Sequence, residues 1–163
     1  MPTPEQERVM KAVQERYGSK NFTLDPFTFT MNFLPATLSI ITNAQFLVQN
    51  DSAFAICKTS IVVTDTSDAF VTNLSDTPKV MPFLITLSDS GSGRDLMDTG
   101  VHVDNLFGTA QRPYVWTKIK LLDPSSTFTG RLQNLSATSR NVRMAFHGFK
   151  VFGDVNQFKA HAR

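Results

Sequence analysis

At 163 residues the chain has the length of one domain, which at this size buries roughly 70% of the surface its unfolded form exposes and needs no staples to fold. The hydrophobic fraction of 41% is ordinary for a globular protein, the charged fraction of 18% is low, and the single Cys57 excludes internal disulfides and cysteine-rich zinc sites. Net charge is only +2 but uneven: residues 94–163 hold ten basic and five acidic side chains, against two and five in residues 26–93.

Three further exclusions follow from composition. The basic residues of the second half (Arg112, Lys118, Lys120, Arg131, Arg140, Arg143, Lys150) are scattered and not interleaved with aromatics, so no nucleic-acid platform is expected. Pro26–Asn50 is uncharged but interrupted by Asn32, Pro35, Asn43 and Gln45, so no membrane span is expected, and Met1–Lys20 is too polar for a secretory signal. Fourteen Phe against one Trp and two Tyr point to a buried aromatic core, because Phe has no polar handle for a wet surface. Low charge with abundant Thr and Ser leans mildly toward a surface partly covered by neighbours.

In chain order, the first predicted element is a short helix within residues 1–20. Thr3-Pro4-Glu5-Gln6 is a capping box with Pro at the first helical position, and Gly18 is a natural stop. Val9, Met10, Val13 and Tyr17 form a narrow apolar stripe, and Glu7–Lys11 is a candidate i, i+4 pair. Such a helix is marginal alone and must dock, either on its own sheet or on a partner subunit.

From Phe22 the period changes to two. Phe27, Phe29, Met31 and Phe33 alternate with Thr28, Thr30 and Asn32; Phe46 and Val48 alternate with Gln45, Leu47 and Gln49 up to the turn Asn50-Asp51-Ser52; and Phe54–Val63 is a β-branched run. Phe83, Ile85 and Leu87 lead into Ser88–Gly93, Tyr114–Leu122 alternates up to the turn Asp123-Pro124-Ser125-Ser126, and Thr127–Leu135 alternates again. Val142, Met144 and Phe146 share a face, then the apolar phase slips at Gly148 to Phe149 and Val151, which predicts a β-bulge there. About seven strands with no helical pattern between them predict an all-β antiparallel β-sandwich, a jelly roll in particular, over residues 21–153, followed by a polar tail over 154–163.

Candidate chemistry is thin. Ser90-Gly91-Ser92-Gly93 lacks the Lys-Ser/Thr of a phosphate loop and the third Gly of a dinucleotide loop, so it reads as a turn. Asp89, Asp95 and Asp98 have neither EF-hand nor nonapeptide spacing, and His102, His147 and His161 form no metal signature, so no metal or other cofactor is expected. Cys57 lies in an apolar run where a buried thiol is the preferred reading. No nucleophile elbow is present, and a Ser–His–Asp triad could only be assembled in space, so no catalytic residue is assigned.

The order of landmarks over the last two-thirds of the chain resembles a known group. The strand of Phe54 follows Asn50-Asp51-Ser52; then come Gly93-Arg94-Asp95-Leu96-Met97, Val101-His102-Val103, Phe107-Gly108-Thr109-Ala110-Gln111-Arg112-Pro113, Asn134-Leu135 and Asn141–Val151. These resemble small tailed-phage virion proteins, in particular jelly-roll head-decoration or cement proteins. The resemblance implies a non-enzymatic, homo-oligomeric protein on the virion surface that binds the major capsid protein and bridges its subunits. Within that expectation Val9, Met10, Val13 and Tyr17 would be the face by which an N-terminal arm reaches a neighbour. The competing expectations are another virion part, such as a head-fibre base or tail protein, and a carbohydrate-binding sandwich using Trp116, Tyr17 and Tyr114.

Overall fold

The computed structural model describes residues 1–18, 21–36, 40–65 and 81–153. The helix α1 (Pro4–Tyr17) begins as the capping box requires: the Gln6 N–H donates to Thr3 Oγ1 (3.2 Å) and the Thr3 N–H to Gln6 Oε1 (2.8 Å), and Gly18 closes the helix in the left-handed region. The ion pair on its exposed face is Lys11–Glu15 (4.0 Å) and not Glu7–Lys11.

Among the described residues nine strands follow: β1 (Phe22–Ala36), β2 (Ile41–Leu47), β3 (Ala53–Thr64), β4 (Phe83–Asp89), the two-residue β5 (Arg94–Asp95) and β6 (Val101–His102), β7 (Tyr114–Leu122), β8 (Thr127–Asn134) and β9 (Arg140–Gly153). They form two antiparallel sheets. The first has the order β1-β9-β3-β7; the second has β2-β8-β4-β5, with β6 also on β4. The all-β sandwich read from the periodicity is the architecture of the chain, and Phe is its filler. Phe33, Phe54, Phe83, Phe128 and Phe146 are fully buried between the sheets, where Phe29 stacks on Phe46 at 4.3 Å and Phe128 meets Phe146 edge-on.

The phase slip at Gly148 has a different cause from the one its sequence suggests. The β1–β9 register runs unbroken from Phe22↔Gly153 to Phe33↔Val142, so β9 has no extra residue at Gly148. The bulge lies on the facing strand: β3 pairs Ile56 with Gly148 and Lys58 with His147, leaving Cys57 unpaired. Gly148 is the residue that allows it, since a Cβ there would stand 1.8 Å from the Ala55 carbonyl oxygen. Phe149 and Val151 are apolar because the other face of β9 is also covered. A second, smaller core of Ala53, Ala55, Cys57, Ile119, Leu121, Phe149 and Val151 lies there under α1.

The loop before β7 is fixed by the Phe107-Gly108 step. Phe107 enters the main core edge-on to Phe146, while Gly108 exchanges backbone hydrogen bonds with Thr59 and Ile61, at a point where a Cβ would collide with the backbone of residues 112–114. The predicted polar tail 154–163, with His161, lies outside the described residues.

Candidate functional site

The two sheets each have an outward face, and the chain treats them differently. On the first sheet, α1 lays Val9, Val13 and Tyr17 into the second core, all three buried. It is fastened at three levels. Glu5 pairs with Lys58 on β3 near its start. In the middle, Arg8 donates to the carbonyls of Trp116 and Thr117 on the free edge of β7. At its end Arg16 and Tyr17 both reach the carboxylate of Asp123 in the β7–β8 turn, Arg16 as an ion pair and the Tyr17 hydroxyl as a donor. Burial, then the hydrogen bond and charge of Asp123, push the Tyr17 phenol well above its ordinary value, so it remains a donor.

The residues expected to form a reaching face, Val9, Met10, Val13 and Tyr17, divide within the single chain. Three of the four are closed by the chain's own β3, β7 and β9, and Met10 alone is open, at 42% exposure. The physical reason is that the first sheet has apolar residues on both faces, so the helix has a place to bury its stripe within its own subunit.

Beside the start of α1, a shallow hollow of about 580 Å³ is lined by Glu5, Phe27, Cys57, Lys58, His147 and Phe149, among others. The His147 ring is held at both nitrogens, by Ser60 Oγ on Nε2 (2.9 Å) and by Thr28 Oγ1 on Nδ1 (3.1 Å). Burial, then the charge of Lys58, lower its pKa from the ordinary 6.5, so the ring is neutral at pH 7. A Ser–His pair invites comparison with a hydrolase, but the group orienting His147 is a hydroxyl and not a carboxylate, and Ser60 is buried. The carboxylate in the hollow, Glu5, is engaged by Lys58. The Cys57 thiol beside them is pushed up to about 11 by burial and by Glu5, the opposite of an activated nucleophile.

The Ser90–Gly93 segment is a turn. The Ser90 N–H donates to the Thr127 carbonyl, the Gly93 N–H to the Ser90 carbonyl, and the Thr127 N–H to Ser90 Oγ (2.7 Å). Asp89 at its start is occupied: one oxygen accepts from the Gly91 N–H (3.0 Å) and the other meets Lys120 Nζ at 2.8 Å, with the carboxylate almost fully buried. This pair joins β4 of one sheet to β7 of the other. Asp95, opposite Ser88, lines the same small hollow as Asp89, and among the described residues no three His, Cys, Asp or Glu are grouped to hold a metal ion. His102 lies at the surface before the 3-10 turn Val103–Asn105, whose Asp104 accepts the Met81 N–H (2.6 Å).

The basic residues of the second half point in several directions. Lys120 is in the interior pair, Lys150 sits over the Phe27 ring at 4.1 Å and donates to Gln49, and Arg131 lies on the outside of the second sheet. Among the described residues, no helix is long and apolar enough to cross a membrane. Two of the three aromatics named for a sugar-binding surface are engaged elsewhere: Tyr17 is buried on Asp123, and Trp116 Nε1 donates to Thr59 (3.1 Å) while its ring packs on the main core.

What stays open is the outward face of the second sheet. Its inward residues are Ala44, Phe46, Ile85, Leu87, Phe128 and Leu132. By strand alternation the outward ones are Ile41, Asn43, Gln45 and Leu47 on β2, Thr127, Thr129, Arg131 and Gln133 on β8, and Leu84, Thr86 and Ser88 on β4. On these three strands the side chains are amides, hydroxyls and aliphatics around Arg131, the short β5 and β6 add Asp95 opposite Ser88 and His102 opposite Leu84 at the rim, and among the described residues no helix is laid over them. The alternation that makes this face was legible in the sequence. Its openness was not, and neither were the Asp123 and Asp89 contacts, whose partners lie 106 and 31 residues away.

No family model matches the chain, and no curated protein matches it.

Proposed function

We propose that this is a non-enzymatic structural module that binds other protein surfaces through the outward face of its second sheet, as a capsid cement or decoration protein working as a homo-oligomer on the outside of a phage head. One observation carries the binding part of the reading: a sheet face whose three long strands present amides, hydroxyls and aliphatics around Arg131. The buried centres of protein interfaces are depleted in charged residues other than Arg, because each charge must be stripped of water on docking. The exposed face of α1 is unlike this, displaying Glu7, Lys11 and Glu15.

The jelly-roll reading is supported by the way strands are dealt between sheets. In chain order β1, β3, β7 and β9 go to one sheet and β2, β4 and β8 to the other, with sequence-distant strands side by side, as a doubled Greek key requires. The capsid address rests on the resemblance of the loop motifs. A cement protein needs only a modest interface, on the order of 800 Å² per partner, because shell symmetry repeats it. No nucleic acid, membrane or cofactor enters this reading.

The test is co-sedimentation with particles built from the major capsid protein. Wild-type protein pellets with them, and Arg131→Glu, which reverses the charge at the centre of the open face, weakens binding at least about tenfold while leaving the fold intact. Failure of the wild type to pellet overturns the capsid address; full binding by Arg131→Glu moves the contact off this face.

A further inference from the structure

Among the described residues, the outer edges of the two sheets are not equally protected. An exposed edge strand offers unpaired backbone groups to any other strand, and proteins blunt such edges with Pro, charge, covering groups or very short strands. On the first sheet, β1 has Asp25 and Pro26 in its exposed half, and the carbonyls of β7 at Trp116 and Thr117 are taken by Arg8. On the second, the far side of β4 is closed by two-residue strands, β5 with Arg94 and Asp95 and β6 with Val101 and His102. Among the described residues, the remaining edge, β2, has none of these devices. Its sequence Ile41-Thr42-Asn43-Ala44-Gln45-Phe46-Leu47 has no charge and no Pro, and its pairing with β8 runs from Ile41↔Gln133 to Leu47↔Thr127 without a bulge. Among the described residues β2 pairs with β8 alone.

From this edge we infer that β2 pairs antiparallel with β2 of a second copy of the chain, about a two-fold axis through Ala44, joining the two second sheets into one continuous sheet. The occupant follows from the pattern of the strand itself. A two-fold contact sets each residue against its mirror position, so the patch must be complementary to itself. About Ala44, Ile41 faces Leu47 of the other copy and Asn43 faces Gln45, which sets aliphatic on aliphatic and amide on amide, with nothing of like charge opposed. Ile41 and Leu47 are 48% and 60% exposed in the single chain, large values for aliphatic side chains within a strand, and Ile40 beside them is 61% exposed. In an antiparallel pair every second residue of β2 directs its N–H and C=O away from β8, and the seven-residue edge gives a seam of about 23 Å.

This deepens the homo-oligomer part of the proposed function and rests on it, though not on the capsid. The experiment is sedimentation equilibrium on the full chain and on charged variants of the strand. The wild type gives a mass about twice the 18.2 kDa of one chain. The double variant Asn43→Lys/Gln45→Lys places Lys against Lys across the axis and raises the dissociation constant at least about tenfold. The variant Asn43→Glu/Gln45→Lys places Glu against Lys and restores association. Circular dichroism melts that are unchanged in both variants show that the chain still folds. A monomeric wild type, a Lys/Lys chain that still dimerises, or a Glu/Lys chain that fails to recover overturns the inference. Capsid co-sedimentation of the same proteins separates the two readings: a monomer that pellets sinks this one alone, and a dimer that does not pellet sinks the capsid address alone.

Discussion

The outward faces of the two sheets are built from the same alternating strands and end differently. On the first sheet, Ala53, Ala55, Ile119, Leu121, Phe149 and Val151 turn outward and are sealed under α1, so that sheet is apolar on both sides. On the second, the outward positions mix Thr, Ser, Asn, Gln and Arg131 with Ile41, Leu47 and Leu84, and among the described residues no helix is laid over them. An antiparallel sheet tolerates either outcome, since one solvated face is its usual condition. The difference teaches that the helix belongs to the scaffold and that the uncovered face and its β2 edge are where partners are to be sought.

The comparison is broken most severely at the platform on which the helix stands. Gly148→Ala drives a Cβ into the Ala55 carbonyl at the β3 bulge, and the strand cannot retreat because β1 holds β9 in register on its other side. The expected loss is more than about 4 kcal/mol or failure to fold, read by urea denaturation. A stable Gly148→Ala chain would show that the bulge is plastic.

A milder contrast sets one face against the other directly. Val13→Ala removes two buried methyl groups beneath the helix and should cost about 2 kcal/mol. Arg131→Ala on the open face should leave stability within about 0.5 kcal/mol, whatever it does to binding. Equal costs at the two positions would mean that the second face, too, is packed against something within the chain.

The smallest effect is a pH dependence located at the first face. His147 has a folded pKa below its ordinary 6.5, so the unfolded chain takes up the proton first as the pH falls. Its contribution to stability is therefore complete above about pH 6.5 and is lost as pH drops from there through the folded value. His147→Gln should flatten that part of the stability profile between pH 7.5 and 5; an unchanged slope would assign it to other groups.

Much of the architecture is written locally. The capping box of Thr3 and Gln6, the stop at Gly18, the period-two strands and the Phe bias each depend on residues within a few positions of one another, so the all-β sandwich and its first helix follow from the sequence. Even the irregularity at Gly148 was visible, because the apolar phase changes there. What sequence alone does not fix is which strand absorbs the extra residue: Gly148 marks the close approach, while the bulge is at Cys57, some 90 residues earlier in the chain.

The candidate site divides the same way. That Val9, Val13 and Tyr17 are apolar at helical spacing is a local fact; that they meet Ile119, Leu121 and Phe149 of the same chain is decided by the fold. Tyr17 and Asp123, or Asp89 and Lys120, are ordinary surface-prone residues until the two sheets close and bring each pair together away from water. The sequence by itself determined the alternation, the cap and the aromatic core. Only the tertiary structure decided which faces are covered and which edge is left bare, because burial is a property of what packs on a residue and not of the residue.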